Sequence, residues 1–244
     1  MKLTLQYKLF LLVLVPTLII ASLSTLMMRY LSERREVENL DYTMDIIAGQ
    51  LGQRISSALD QAAIINDGSV QFVANSEFVT PDEVKGFLMK DLEKSDFILS
   101  SRIAFEPAYY KGQAHHFAVS RYNHSVYTGD LVSIIDHTDG SEYWYHTAKN
   151  SKKGIWESAV SDRESGLPVC RFSQPVYQKG KFIGVASVLI DLREFYDLVD
   201  TSYFSSMGFF LIDQVGKFIY YPEPKRILKE NILKMERRRF NTVQ

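Results

Sequence analysis

The sequence predicts an α+β fold: an N-terminal transmembrane helix, a long stalk helix, and an antiparallel sheet flanked by further helices. Three observations predict it. Leu9 to Met28 is a run of 20 residues without a charge. From Val37 to Ile65 apolar residues recur at steps of three and four, the spacing of one helical stripe. Beyond Ser95 the pattern changes to short apolar runs separated by glycine-containing turns, as in an antiparallel sheet.

The apolar run has the length a helix needs to cross a bilayer core, about 20 residues. It is longer than the h-region of a cleaved signal peptide, about 7–15 residues, and Met27-Met28-Arg29-Tyr30 follows it instead of an Ala-x-Ala-like site. Residues 1–8 are therefore read as a cytoplasmic tail and residues 9–28 as an uncleaved membrane helix. Pro16 is tolerable inside such a helix. Lys2 and Lys8 precede the run, and Arg29, Arg34 and Arg35 follow it, so the local basic balance decides little. A short tail ahead of a large soluble portion suits an N-in signal anchor. The expected setting is a bacterial inner membrane, crossed once, with the soluble part outside the cytoplasm.

Residues 29–66 are predicted as one stalk helix, with Val37, Leu40, Met44, Ile47, Leu51, Ile55 and Leu59 on its stripe and Asp67-Gly68 as its stop. The membrane-proximal half of the stripe is near-heptad, which predicts pairing with a second copy as a homodimer. Thr80-Pro81-Asp82-Glu83 opens a second helix, with an N-cap threonine, a proline at the first helical position and acids in the first turn. Strands are expected around Ile103-Ala104-Phe105, over 117–122 and over 131–136, with turns at Lys111-Gly112 and Thr128-Gly129. An aromatic-led helix begins near Tyr143. A polar turn runs from Ser161 to Gly166. Strands 169–177 and 181–190 flank Gln178-Lys179-Gly180 as a hairpin. A helix over 192–200, a second hairpin over 208–221 and a basic helical end at Arg237-Arg238-Arg239 complete the reading.

That order, with Ile103-Ala104-Phe105-Glu106-Pro107, Tyr143-Trp144-Tyr145, Gly154-Ile155-Trp156-Glu157, Gln174-Pro175-Val176-Tyr177 and Gly216-Lys217-Phe218-Ile219-Tyr220-Tyr221-Pro222, resembles the double-Cache (dCache) extracytoplasmic sensor domain of bacterial transmembrane receptors. The resemblance covers 31–233. It implies a PAS-like, membrane-distal Cache subdomain over 67–200 and the start of a membrane-proximal one over 201–244. A completed second subdomain and an output module are expected beyond what this chain contains.

The resemblance also implies a ligand pocket. Trp144 and Tyr145 match the aromatic pair that packs on the ligand, and Asp162 matches an acidic position of the pocket loop. Tyr122 and Arg171 are added from their placement on nearby strands. Three departures stand out. Glu142 occupies the place of the arginine that pairs an amino acid's carboxylate, Leu189 that of the acid for its amine, and Val160 that of the loop tyrosine. The expected ligand is accordingly a small molecule other than an ordinary α-amino acid, and Glu142 would favour a cation or a hydroxyl-rich compound.

Other chemistries find no support. With 28 Lys+Arg against 29 Asp+Glu, a nucleic-acid binder is not expected, since such affinity rests on phosphate neutralisation. One cysteine, Cys170, leaves no disulfide framework. The five histidines make no metal-site spacing, and no cofactor motif or nucleophile elbow is present. The sequence thus predicts a membrane-anchored sensor that is not an enzyme. The alternative is an exported interaction domain without a small-molecule ligand.

Overall fold

The computed structural model describes residues 5–122, 125–130, 137–138, 140, 142–163, 165–197 and 210–235; the side chains of 5–13, 33, 37, 113, 122, 128–130 and 197 lie outside that description. The chain divides into two units, Met1–Gln53 and Arg54–Gln244. Helix α1 (Leu5–Asn75) runs through both.

In the first unit α1 is long and apolar enough to cross a membrane, and its apolar window is unburied. Leu18, Ile20, Leu23 and Leu26 are all exposed. The hydroxyls of Thr17, Ser22 and Ser24 donate back to carbonyls three and four residues earlier. Each polar group is thereby satisfied within the helix, as a lipid environment requires.

In the second unit α1 does not stop at Asp67-Gly68 but continues to Asn75. Glycine costs a helix about 1 kcal/mol relative to alanine. Val70 and Val73, beyond it, are buried against the sheet and the next helix, and each such burial contributes roughly 1.5–3 kcal/mol. Packing therefore overrides the local stop signal. Ser76 Oγ donates to the Phe72 carbonyl at 2.6 Å, satisfying one of the last acceptors. Helix α2 (Pro81–Glu93) opens with a full capping box between Thr80 and Glu83. It buries Val84, Leu88 and Leu92. It also buries Asp91, which accepts from Ser69 Oγ of α1 (2.5 Å), Lys94 Nζ (2.7 Å) and Ser101 Oγ of the sheet (3.2 Å).

Seven antiparallel strands follow. They are β1 (Ile98–Tyr110), β2 (Gln113–Tyr122), β3 (Ser125–Asp130), β4 (Ile155–Trp156), β5 (Val160–Ser161), β6 (Pro168–Gln178) and β7 (Lys181–Asp191). Their order is β3-β2-β1-β7-β6-β4, with β5 also pairing β6. Two hairpin turns form as expected. Lys111-Gly112 has φ of 55° and 96°, and Lys179-Gly180 has φ of 50° and 78°, the left-handed pairs that match strand twist. Thr128-Gly129 is not a turn: both residues lie in β3, opposite Val119 and Ala118, where ladder hydrogen bonds outweigh glycine's local preference. At Gly184 an added Cβ would run into the Ala104 carbonyl oxygen, so β7 meets β1 only because that residue is glycine.

The two sheet faces are covered by different elements. Ile103, Phe105, Val119, Val188 and Ile190 join α1 and α2 in the main core. Ala104 and Val185, on the opposite face, pack against Trp144, Tyr145 and Ala148 of helix α3 (Tyr143–Ser151). Past β7, α4 spans Glu194–Asp197, inside the expected 192–200, of which 198–200 lie outside the described residues. Strands β8 (Leu211–Ile212) and β9 (Phe218–Tyr220) make the second hairpin. The expected strand over 131–136 and the basic run Arg237–Arg239 are also outside the described residues.

Candidate functional site

Strand alternation decides what faces α3. Along β1, Ser100, Arg102 and Ala104 share the face opposite Ile103 and Phe105. The register carries that face across the sheet: Arg102 sits beside Ala118 on β2 and Ser187 on β7, and Ser187 beside Ser173 on β6. In the neighbouring row Ser120, Ser100, Leu189 and Arg171 are aligned. The Glu157 amide donates to the Arg171 carbonyl at 2.9 Å and extends that row. The result is a buried floor of serines with two guanidinium groups, under one short helix. Arg102 is 4% exposed, and Ser173 and Ser187 are 1% exposed each.

Trp144 lies over this floor. Its ring is 5.4 Å from the Arg171 guanidinium and 5.4 Å from the His116 ring, a cation–π geometry for the arginine. The indole Nε1 donates to Glu142 Oε2 at 2.8 Å, and Glu142 Oε1 is 3.6 Å from Arg163. Glu142 is therefore engaged at both oxygens, and its expected role toward a cationic ligand is taken by internal partners. Tyr145 is fully buried, and its hydroxyl donates to Glu106 Oε1 at 2.5 Å. Lys149 Nζ bonds the same oxygen at 2.6 Å. Burial, with the Glu106 bond and charge, holds the Tyr145 phenol above its ordinary value. Asp162 accepts from the Ser165 amide (2.9 Å) and hydroxyl (2.7 Å), so it shapes its own turn. Tyr122 closes β2 opposite Ser125, and its side chain lies outside the described residues.

The geometry thus brings Trp144, Glu142 and Arg171 together, with Asp162 close enough for its charge to act on Arg171. It turns the Tyr145 hydroxyl toward Glu106. Sequence reasoning missed Arg102, His116, Glu157 and the serines. Their signal was present in the alternation Ser100-x-Arg102 and Arg171-x-Ser173 within strands flanked by apolar residues.

The electrostatics of the floor are strained. Arg171 reaches Glu157 Oε2 only at 3.9 Å. Arg171 Nε, Ser173 Oγ and Glu157 Oε1 are buried without a hydrogen-bond partner among the described residues. Burial, then the charge of Arg102, lowers the Arg171 pKa, with Glu157, Glu142 and Asp162 opposing. Burial raises the Glu157 carboxyl, with Arg171 opposing and Glu142 reinforcing. Burial keeps His116 well below its usual value, aided by Arg102, His137 and Arg171. No group of three or more His, Cys, Asp or Glu among the described residues is arranged to hold a metal ion.

Residues 84–197 match the family model of the methyl-accepting chemotaxis protein-like, first PDC sensor domain. Over these residues the sequence is similar to PDC, or Cache-type, sensor domains. Its solved neighbours have the same fold. The extracellular domain of the histidine kinase soHK1S-Z6 aligns at TM-score 0.63 and 19% identity, covering 78% of this chain and 75% of that one. The ligand-binding domain of the Pseudomonas aeruginosa PAO1 amino-acid chemoreceptor PctC, solved with GABA, aligns at 0.58 and 16%, covering 80% and 79%. That of the Pseudomonas fluorescens chemoreceptor CtaA, solved with L-serine, aligns at 0.57 and 17%, covering 81% and 78%. A comparison with curated proteins by sequence gives no match. The fold shared with these neighbours is the expected α+β architecture, and the long N-terminal helix precedes the matched residues.

Proposed function

We propose that this chain is the membrane-anchored, extracytoplasmic sensing part of a signal-transduction receptor. It binds a small molecule on the polar sheet face beneath α3 and performs no catalysis. One observation carries the reading: a sheet face with Arg102, Arg171 and four serines lies under α3, and Arg171 Nε and Ser173 Oγ on it are buried without a hydrogen-bond partner among the described residues. Protein interiors satisfy such atoms or bind something that does. Residues 9–28 form the membrane helix, and the near-heptad stripe of 29–66 pairs two copies. Residues 67–200 form the membrane-distal subdomain, and the β8–β9 hairpin opens a second. A ligand that fits one arrangement of α3 on the sheet better than another shifts the balance between them, and α1, packed on the opposite face, carries that shift toward the membrane. The ligand is not an ordinary α-amino acid, because Glu142, Val160 and Leu189 stand where such a ligand's recognition groups would be.

The test is a thermal-shift screen of the full chain in detergent against small metabolites. A ligand at about 100 times its Kd stabilises by about 2.7 kcal/mol. One that raises the midpoint of wild type but not of Trp144→Ala supports the site. The close packing of Trp144 and Tyr145, 2% and 0% exposed, favours a second reading, an interaction domain without a small-molecule ligand. A screen in which nothing shifts the midpoint selects it.

A further inference from the structure

The sensor reading leaves the chemistry of the ligand open, and the floor of the site narrows it. Among the described residues, Arg171 Nε, Ser173 Oγ and Glu157 Oε1 are buried there without a hydrogen-bond partner. The two donors, Arg171 and Ser173, lie two residues apart on one face of β6. Ser173 is 1% exposed, so water from bulk does not serve it. A guanidinium Nε–H and a hydroxyl on one strand face can hold the two oxygens of one planar oxyanion. Three other acids are unsuited to that place. Glu142 is engaged by Trp144 and Arg163, Asp162 by its own turn, and Glu157 meets Arg171 only at 3.9 Å. Leu189 sits directly beside Arg171 across β6 and β7, so on the β7 side the floor offers an apolar surface next to the anion position.

We propose, resting on the sensor reading, that Arg171 and Ser173 of β6 anchor the carboxylate of a small organic acid. The Leu189 side chain then lies against its carbon skeleton, and Glu157 Oε1 accepts from a hydroxyl on it. Trp144, stacked on Arg171, holds the guanidinium in place. This moves the anion anchor from residue 142, on the approach to α3, to the sheet itself, and it requires a carboxylate on the ligand.

The experiment uses the full chain in detergent and measures thermal midpoints and calorimetric affinities. The probes are carboxylates of two to six carbons, L-lactate and L-malate among them. Each is paired with its neutral amide. At least one carboxylate raises the midpoint, and its amide does not. Arg171→Gln abolishes the shift, and Ser173→Ala weakens binding about tenfold. If Arg171→Gln does not fold, Ser173→Ala carries the test alone. Unchanged affinity in Ser173→Ala, or in a folded Arg171→Gln, overturns the proposal. So does an amide that binds as well as the acid; the sensor reading then survives with a different ligand class. If no probe and no wider metabolite shifts the midpoint, both readings fail.

Discussion

The two faces of the sheet are made by the same strands and put to different uses. Along β1, Ile103 and Phe105 are fully buried among α1, α2 and apolar partners. Ser100 and Arg102, one residue out of step, are buried just as deeply beneath α3 but among serines and charges. Burial alone therefore does not reveal what a face contributes. The α1–α2 face gains from every apolar side chain it removes from water. The α3 face pays desolvation on two guanidiniums and recovers only part of it through the Ser100–Arg102 bond (2.9 Å) and the distant Glu157.

The largest expected effect tests the apolar face. Phe105 stacks on Tyr109 with ring centroids 4.7 Å apart and has no exposed surface. Phe105→Ala is expected to cost about 3–5 kcal/mol in urea denaturation of the full chain in detergent, followed by circular dichroism. A cost below about 1 kcal/mol would mean that this face is less tightly filled than its burial indicates.

The next effect belongs to the polar face and has a pH sign. His116 has its folded pKa well below 6.5, chiefly through burial. Below pH 6.5 the unfolded chain takes up the proton and the folded chain does not, so stability falls with falling pH. Between pH 6.5 and about 5.5 wild type is expected to lose about 1 kcal/mol more than His116→Gln. Parallel pH profiles for the two proteins would show that His116 is reached by solvent or paired when protonated.

A smaller effect separates the faces most directly. Removing Arg171 alone leaves Glu157 buried with less compensation, so both must change. Arg171→Met with Glu157→Gln is expected to fold within about 1 kcal/mol of wild type, or slightly better, because incompletely paired buried charges are often replaced without loss. A cost of about 3 kcal/mol, comparable to Phe105→Ala, would show that the pair holds the fold.

How much of this the sequence could show follows from the same contrast. Stripes and turns are local, and they located α2, α3, the β6–β7 hairpin and its Lys179-Gly180 turn. Gly68 misled because its cost is local while the burial of Val70 and Val73 that outweighs it comes from elements distant in sequence. Thr128-Gly129 misled for the same reason, since its strand state depends on β2. At the site, Trp144 and Arg171, read as near the same region, lie with the indole ring 5.4 Å from the guanidinium. Arg102 and Ser173 escaped because their importance depends on register across β7, which brings Arg102 to Ser187 and Ser187 to Ser173. Glu142 was named for its charge, but the indole and Arg163 that occupy it become visible only in three dimensions.

The smallest expected effect concerns how α3 is held over the polar face. Its apolar contacts are few: Trp144, Tyr145 and Ala148 meet Ala104 and Val185. Trp144 also stacks on Arg171 and His116, and at the rim Glu106 accepts from both Tyr145 and Lys149. Burial alone would raise the Glu106 carboxyl, but the bonds from Lys149 and Tyr145 outweigh it and leave the carboxyl below its ordinary 4.5. Glu106 therefore adds stability above that value and loses it as the pH falls through its folded pKa. The side chain is about a quarter exposed, so Glu106→Gln should cost less than about 1 kcal/mol at neutral pH, and the difference should shrink as the pH falls below 4.5 and through the lowered folded pKa. A cost above about 2 kcal/mol, persisting in acid, would place the attachment of α3 at this rim and make its release from the sheet an expensive step for any signal. A small, acid-sensitive cost fits a helix that can shift on its floor when a ligand supplies the missing partners.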